Sequence, residues 1–167
     1  GCSNLTSVTI PASVISIESR TFDGCESLKE LMFEDGTEPL QLGCGYIPDS
    51  YRNVGLFYDC PLEKLYLGRN LSYETTSSFL APFRGQSALT SVTISPGVTS
   101  IGEYAFYGCS GLTSVTIPQG VTSIGSSAFS GCSNLTSVTI PASVISIEGG
   151  TFDGCVLLKE LMFEDGT

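Results

Sequence analysis

LTSVTISPGVTSIGEYAFYGCSG, residues 89–111, runs directly into LTSVTIPQGVTSIGSSAFSGCSN, residues 112–134, and the shared pattern of these two lines decides the fold. In the first line Leu89, Val92 and Ile94 alternate with polar residues after the leading leucine. The segment is rich in β-branched types, so it reads as a short strand with one buried face. Pro96 ends it, because proline lacks the amide a ladder needs. Val98 and Ile101 then supply two inward groups on a second extended stretch. After Gly102, the run Glu103–Tyr107 is compatible with one helical turn whose inward members are Ala105, Phe106 and Cys109, with Gly108 suited to stop it in the left-handed backbone.

Working outward, leucines open similar units at Leu5, Leu28, Leu62, Leu89, Leu112, Leu135 and Leu158, at spacings of 23, 34, 27, 23, 23 and 23. A period in the twenties signals a solenoid, because one coil cannot shield its own apolar side chains and must stack on the next. The pair Phe-x-x-Cys recurs as Phe22/Cys25, Phe57/Cys60, Phe106/Cys109, Phe129/Cys132 and Phe152/Cys155, and survives as Phe83/Gln86 in the third unit. A longer period encloses the short one. Residues 1–37 return as 131–167 with 33 of 37 positions unchanged, the exceptions being Ser19/Gly149, Arg20/Gly150, Glu26/Val156 and Ser27/Leu157. Interior repeat sequence at both ends, with no polar cap, makes residues 1–167 one expected solenoid segment of a longer array, irregular at 28–88.

Six of the seven cysteines sit two or three residues before a repeat leucine. Recurrence at one phase, in a chain with an odd total of seven, points to buried free thiols filling one niche per coil rather than to a disulfide framework. Cys44 with Cys60 is the one pairing worth testing. With 17 acidic and 7 basic residues the net charge is −10, which repels phosphate backbones and argues against nucleic-acid binding. No apolar run approaches the roughly 20 residues of a spanning helix, so no direct membrane insertion is expected.

The pattern L-x-x-V/L-x-I/F/L followed by I-P-x-x-V-x-x-I-x-x-x-A/T-F-x-G-C resembles the BspA-like family of leucine-rich repeats. Residues 1–27 and 89–157 fit nearly every position, and residues 28–88 fit through Leu28, Leu31, Phe33, Phe57, Cys60, Leu62, Leu65, Leu67 and Phe83. The asparagine that many leucine-rich repeats carry after the strand is absent, with Ser13, Gly97, Gly120 and Ser143 at that phase. The resemblance implies an α/β repeat solenoid leaning to β: a right-handed superhelix with short parallel strands on a concave face and short helical turns opposite. It also implies a secreted or cell-surface bacterial protein that adheres to a host or neighbouring-cell protein.

Histidine is absent, which removes Ser-His and Cys-His nucleophiles and His-containing zinc sites. The carboxylates Glu34, Asp35, Glu38, Asp49 and Asp59 leave a paired-acid site or a calcium turn to be weighed, but Glu34 and Asp35 read as solvated charges at a strand exit. The expectation is a non-enzymatic, monomeric chain with no catalytic set, no metal and no cofactor. Residues flanking the middle apolar position of each strand should face the open side: Ser7/Thr9, Glu30/Met32, Lys64/Tyr66, Ser91/Thr93, Ser114/Thr116, Ser137/Thr139 and Glu160/Met162. Lys64/Tyr66 breaks the monotony. Units two and three exceed 23 residues by 11 and 4 and carry five of the seven tyrosines. Tyrosine and arginine anchor interfaces well, so Lys64, Tyr66, Tyr46, Tyr51, Arg52, Arg69 and Tyr73 are the candidate residues for a protein partner, unless the aromatics there only fill an interrupted core. The competing reading of the whole chain is a structural spacer, lengthened by tandem 130-residue blocks, with binding done elsewhere.

Overall fold

In the computed structural model, which describes residues 2–47 and 52–165 and only the backbone of 46, 47, 52 and 53, the chain coils as a β-solenoid. One row of parallel strands consists of β1 (Ser7–Ile10), β3 (Glu30–Phe33), β7 (Lys64–Leu67) and β9 (Ser91–Ile94) in a first sheet, then β11 (Ser114–Thr116), β13 (Ser137–Ile140) and β15 (Glu160–Phe163) in a second. Every one of these strands begins two residues after a repeat leucine. The register follows: Ser7 lies opposite Glu30, Glu30 opposite Lys64 and Lys64 opposite Ser91. The uneven leucine spacings are therefore absorbed between strands, and the ladder itself stays in step.

A second row forms from the Val-x-x-Ile segments. It holds β2 (Ser16–Ile17), β4 (Leu40–Leu42) and β8 (Leu71–Ser72) in one sheet, and β10 (Ser100–Ile101), β12 (Ser123–Ile124) and β14 (Ser146–Ile147) in another. Part of the extra length of unit two becomes an antiparallel hairpin, β5 (Cys44–Ile47) against β6 (Arg52–Gly55). Between the two rows and the turns runs one apolar core, which in the fourth coil takes Leu89, Val92, Ile94, Val98, Ile101, Ala105, Phe106 and Cys109. In this coil the inward positions read from the sequence are the buried ones.

The third side of each coil departs from expectation. Among the described residues the sole helical piece is a three-residue 3-10 turn at Ser78–Leu80, and the helical turns expected opposite the strands do not form. The reason lies in the backbone. Tyr104 and Gly108 both take left-handed conformations (φ 56° and 71°), and each resets the chain before a helical ladder can propagate. The amides of Tyr104, Phe106 and Gly108 instead donate to Ser126, Ala128 and Ser130 of the next coil, at 2.9, 2.8 and 2.7 Å. Alternate residues thus bond outward to a neighbouring coil, which is the logic of a strand rather than of a helix. Residues 127, 129 and 131 repeat it one coil later, toward Gly149, Thr151 and Asp153.

Aromatic stacking runs parallel to these bonds. The rings Phe57, Phe83, Phe106, Phe129 and Phe152 lie 5.4–5.8 Å apart in succession and within 14° of coplanar, while Phe22 closes on Phe57 at 4.9 Å and a steeper tilt. Each such pair contributes about 0.5–1.5 kcal/mol beyond the area it buries. All seven cysteines are free, Cys44 and Cys60 included. The ladder thiols have a job: Cys109, Cys132 and Cys155 donate to the carbonyl of the phenylalanine one coil back (Phe83, Phe106 and Phe129) at 3.0–3.2 Å. Gln86 replaces cysteine in the third unit and makes the same bond to Phe57 at 2.8 Å, while its Oε1 accepts from the Leu62 amide. Burial pushes the thiols of Cys60 and Cys132 up to about 12. They stay protonated, and therefore able to donate, at neutral pH.

Candidate recognition surface

The side chains that alternate outward from β1, β3, β7 and β9 line a shallow depression of about 380 Å³. Ser7 and Thr9 form one edge and Ser91 and Thr93 the other, with Glu30, Met32, Lys64 and Tyr66 between them. Because register places Glu30 beside Lys64, the Lys64 Nζ donates to Glu30 Oε1 at 2.8 Å, and both groups stay largely exposed. The bond and charge of Glu30 push the Lys64 pKa up, so the ammonium is fully charged at neutral pH. A second pair, Lys29 with Glu63 at 2.8 Å, spans the same two coils with the signs reversed. Exposed pairs of this kind add little stability. What they provide is a patch of alternating charge in the middle of a hydroxyl-lined sheet.

Tyr66 is half-buried and its hydroxyl donates to Asp35 Oδ1 at 2.9 Å. Lys64 and Tyr66 are thus brought together on one face, as their spacing of two in a strand requires. The other candidates are not with them. Arg69, expected at the surface, is 1% exposed: its guanidinium reaches back to the first coil and donates to the carbonyls of Pro11, Ala12 and Val14 at 2.7–3.1 Å. Its role is to clamp one turn to another. Tyr73 also points inward, donating to the Glu103 carbonyl at 2.9 Å beneath Gly102, and burial raises its pKa strongly. Tyr46 and Arg52 lie on the β5/β6 hairpin, cross-strand from Asn53 and Ile47. Tyr51 and Asp49 lie outside the described residues.

Of the acidic candidates, Glu34 accepts from the Ala12 amide at 3.1 Å and Asp35 holds Tyr66, so each is engaged in the scaffold. Asp59 sits near Asp23 and Glu26, and its pKa is raised, first by burial and then by those charges. Among the described residues, no group of three or more His, Cys, Asp or Glu is placed to hold a metal ion. No helix there is long and apolar enough to cross a membrane. One cluster has no counterpart among the residues the sequence singles out: Phe79, Arg84, Tyr107 and Tyr104 touch in a chain along the turn edge.

Parallel strands in step, the leucine ladder and the Phe-x-x-Cys turn together give the coil its signature. A sequence profile for the BspA type leucine rich repeat region matches it in 6 copies over residues 1–81 and 81–167. The chain belongs to the BspA-type leucine-rich repeat family. Among solved structures, a leucine-rich repeat protein of Bacteroides ovatus is 30% identical, with a TM-score of 0.73 over 95% of this BspA-type chain and 37% of its own. A leucine rich cell surface protein of Faecalibacterium prausnitzii is 20% identical (TM-score 0.51; 99% of this chain, 61% of its own). The T. pallidum leucine rich repeat protein is 19% identical (TM-score 0.55; 95% and 69%). These last two share the fold. The BspA-type chain spans about a third of the B. ovatus protein's length and under two thirds of the F. prausnitzii protein's. Comparison with functionally curated proteins found no match.

Proposed function

We propose that this BspA-type chain is a non-enzymatic recognition scaffold of a secreted or surface-displayed bacterial protein, adhering to a protein on a host or neighbouring cell through its strand face. The observation that carries this reading is the depression over β1, β3, β7 and β9, where Lys64 and Tyr66 interrupt rows of serine and threonine. A surface built on hydrogen-bonded strands binds with little ordering cost, because its side chains are already fixed in register. Family membership supports a binding or scaffold role, and one structural relative is a cell surface protein. A bead-capture assay tests the reading: beads coated with the chain are scored for retention of epithelial cells and of other bacteria. Capture that Lys64→Ala/Tyr66→Ala abolishes, at unchanged melting temperature, supports it; capture indifferent to the double variant moves the site elsewhere.

The near-identical ends favour a second reading, in which 130-residue blocks serve to lengthen a stalk. Beads that retain nothing, together with high bending stiffness of the chain in single-molecule stretching, would select the spacer.

A further inference from the structure

The turn edge of the third and fourth coils carries the chain of three rings and one guanidinium formed by Phe79, Arg84, Tyr107 and Tyr104. The 3-10 turn, capped by the Ser77 hydroxyl on the Phe79 amide, turns the Phe79 ring outward, 41% exposed. Arg84 places its guanidinium carbon 4.2 Å from that ring's centroid and 5.7 Å from Tyr107's, and Tyr107 meets Tyr104 edge-on at 6.0 Å. The arrangement is held from behind by the Gly85 amide, which donates to the Tyr107 carbonyl at 2.8 Å and so docks one turn on the next. Two features set it apart from the neighbouring turns. At the phase of Tyr107 the regular coils have Asp23, Ser130 and Asp153, and at that of Tyr104 they have Arg20, Ser127 and Gly150. The aromatic surface is therefore confined to one place.

The second feature is a large aromatic side chain on a left-handed backbone that the neighbouring turns share at Arg20 and Ser127 (φ 69° and 53°). Tyr104 has φ 56°, a conformation that disfavours bulky residues and that its counterpart Gly150 meets without strain (φ 70°). The strain belongs to the coil, and the ring placed on it is particular to this turn. The chemistry of the site follows from Arg84. Among the described residues its guanidinium makes no ion pair, and its buried Nε has no hydrogen-bond partner. Rings beside the guanidinium leave its outer N–H edge available, and that edge matches a carboxylate in two-pronged geometry. On a chain of net charge −10, a cation without a carboxylate is a local inversion of sign.

We propose that Phe79, Arg84, Tyr107 and Tyr104 form a second recognition surface that docks an acidic peptide segment of a partner protein, its carboxylate on Arg84 and apolar side chains on the flanking rings. An extended peptide advances about 3.3 Å per residue and turns successive side chains to opposite faces, so an apolar-x-acidic-x-apolar pattern sets one ring about 6.6 Å to either side of a carboxylate on the same face, near the 4.2 and 5.7 Å that separate the cation from its two rings. The proposal is independent of the strand-face reading.

The test uses the 167-residue chain and a fluorescent peptide Gly-Phe-Ser-Glu-Ser-Phe-Gly with its Gly-Phe-Ser-Gln-Ser-Phe-Gly twin, both with amidated C-termini, followed by anisotropy. The glutamate peptide is expected to bind at least about tenfold more tightly than the twin, the loss expected when a charge-assisted pair is removed. Arg84→Ala abolishes the difference and Arg84→Lys restores it in part. Tyr104→Gly folds, since glycine suits that backbone, and weakens binding severalfold, whereas Lys64→Ala/Tyr66→Ala leaves it unchanged. Equal binding of the two peptides, or binding that Arg84→Ala does not alter, overturns the proposal. Binding lost in the strand-face variant overturns its location, and a tri-galacturonate probe that binds where the glutamate peptide does not overturns the peptide assignment in favour of an acidic glycan.

Discussion

The first 37 residues and the last 37 are nearly one sequence in two surroundings, and they show that burial in a solenoid belongs to the neighbour as much as to the residue. β3 and β15 both read Glu-Leu-Met-Phe. β3 lies between β1 and β7, and there Leu31 and Phe33 vanish from solvent; β15 pairs with β13 alone among the described residues, and all four of its side chains are exposed. At the opposite edge the contrast inverts. Leu5 and Val8 of the first copy are half-exposed, whereas their counterparts Leu135 and Val138 are buried, with β13 paired to β11 of the fifth coil. Identical residues thus contribute to stability in one copy and hardly at all in the other, as expected when the cohesive unit is the interface between coils.

Truncating the same phenylalanine twice is the strongest way to break this comparison. Phe33 is 0% exposed and packs on Phe57 and Phe83, while Phe163 is 65% exposed. Phe33→Ala is expected to cost about 3–5 kcal/mol, the range for a core aromatic, and Phe163→Ala less than about 0.5 kcal/mol, the range for surface positions. Urea midpoints measure both, and equal shifts would show that the two strands are equally covered. The leucines sharpen the same point from the other end. Leu135→Ala should cost about 2–5 kcal/mol, and Leu5→Ala clearly less, since it is already partly in water.

Much of this architecture is legible in the amino-acid sequence alone. The positions of seven leucines predict the strand register, including across the irregular units, because a strand must restart wherever a coil does. Phe-x-x-Cys locates the core turn, and Gln86 is a working substitute for cysteine because its amide reaches the same carbonyl. The turn's backbone is not legible in the same way. Glu-Tyr-Ala-Phe-Tyr contains neither glycine nor proline, so it reads as a helical turn, and nothing in those five letters announces the left-handed residue at Tyr104. The informative letter stands in another copy: Gly150 occupies the same phase and hints at the backbone that Arg20, Tyr104 and Ser127 must adopt. Arg69 is hidden for a related reason. It falls at a strand exit, where a cation is usually solvated, and only the return of the chain past Pro11–Val14 offers it three backbone carbonyls. Arg84 and its aromatic neighbours leave no local signal, because Phe79 and Tyr107 are 28 residues apart and are bridged by Arg84 only once the coils stack.

Thiol chemistry gives a subtler contrast between the copies. Cys2 is exposed, whereas its counterpart Cys132 is buried and its thiol is pushed up to about 12. Only thiolate reacts, so iodoacetamide at about pH 8 is expected to label Cys2 rapidly and Cys132 at a rate set by unfolding. A folded-state pKa above the ordinary value near 9 means that the buried thiol favours the fold below pH 9, and that this contribution is lost as pH rises from 9 toward 12. Cys132→Ala should accordingly flatten part of the fall in melting temperature across that window. Equal labelling of the two cysteines in the folded chain would contradict the burial.

The smallest expected effect comes from one of the four positions at which the copies differ. Arg20 and Gly150 share a left-handed backbone, φ 69° and 70°, so the duplication itself sets arginine against glycine at one strained site. In Arg20 the strain amounts to about 1 kcal/mol, and its exposed pair with Asp23 at 3.1 Å returns only a fraction of that. Glycine relieves the strain but loses more freedom on folding, about 0.5–1 kcal/mol relative to alanine. The two nearly cancel. Arg20→Gly is therefore expected to leave the melting temperature within about 2 °C of the parent, on the high side, while Gly150→Arg lowers it by somewhat more, because a Cβ there comes within 3.1 Å of the Ser127 hydroxyl. Calorimetry of the two swaps decides the matter. A large loss in Arg20→Gly would mean that the Arg20 side chain holds its coil in place, and that the two ends differ in sequence for reasons of stability as well as of neighbours.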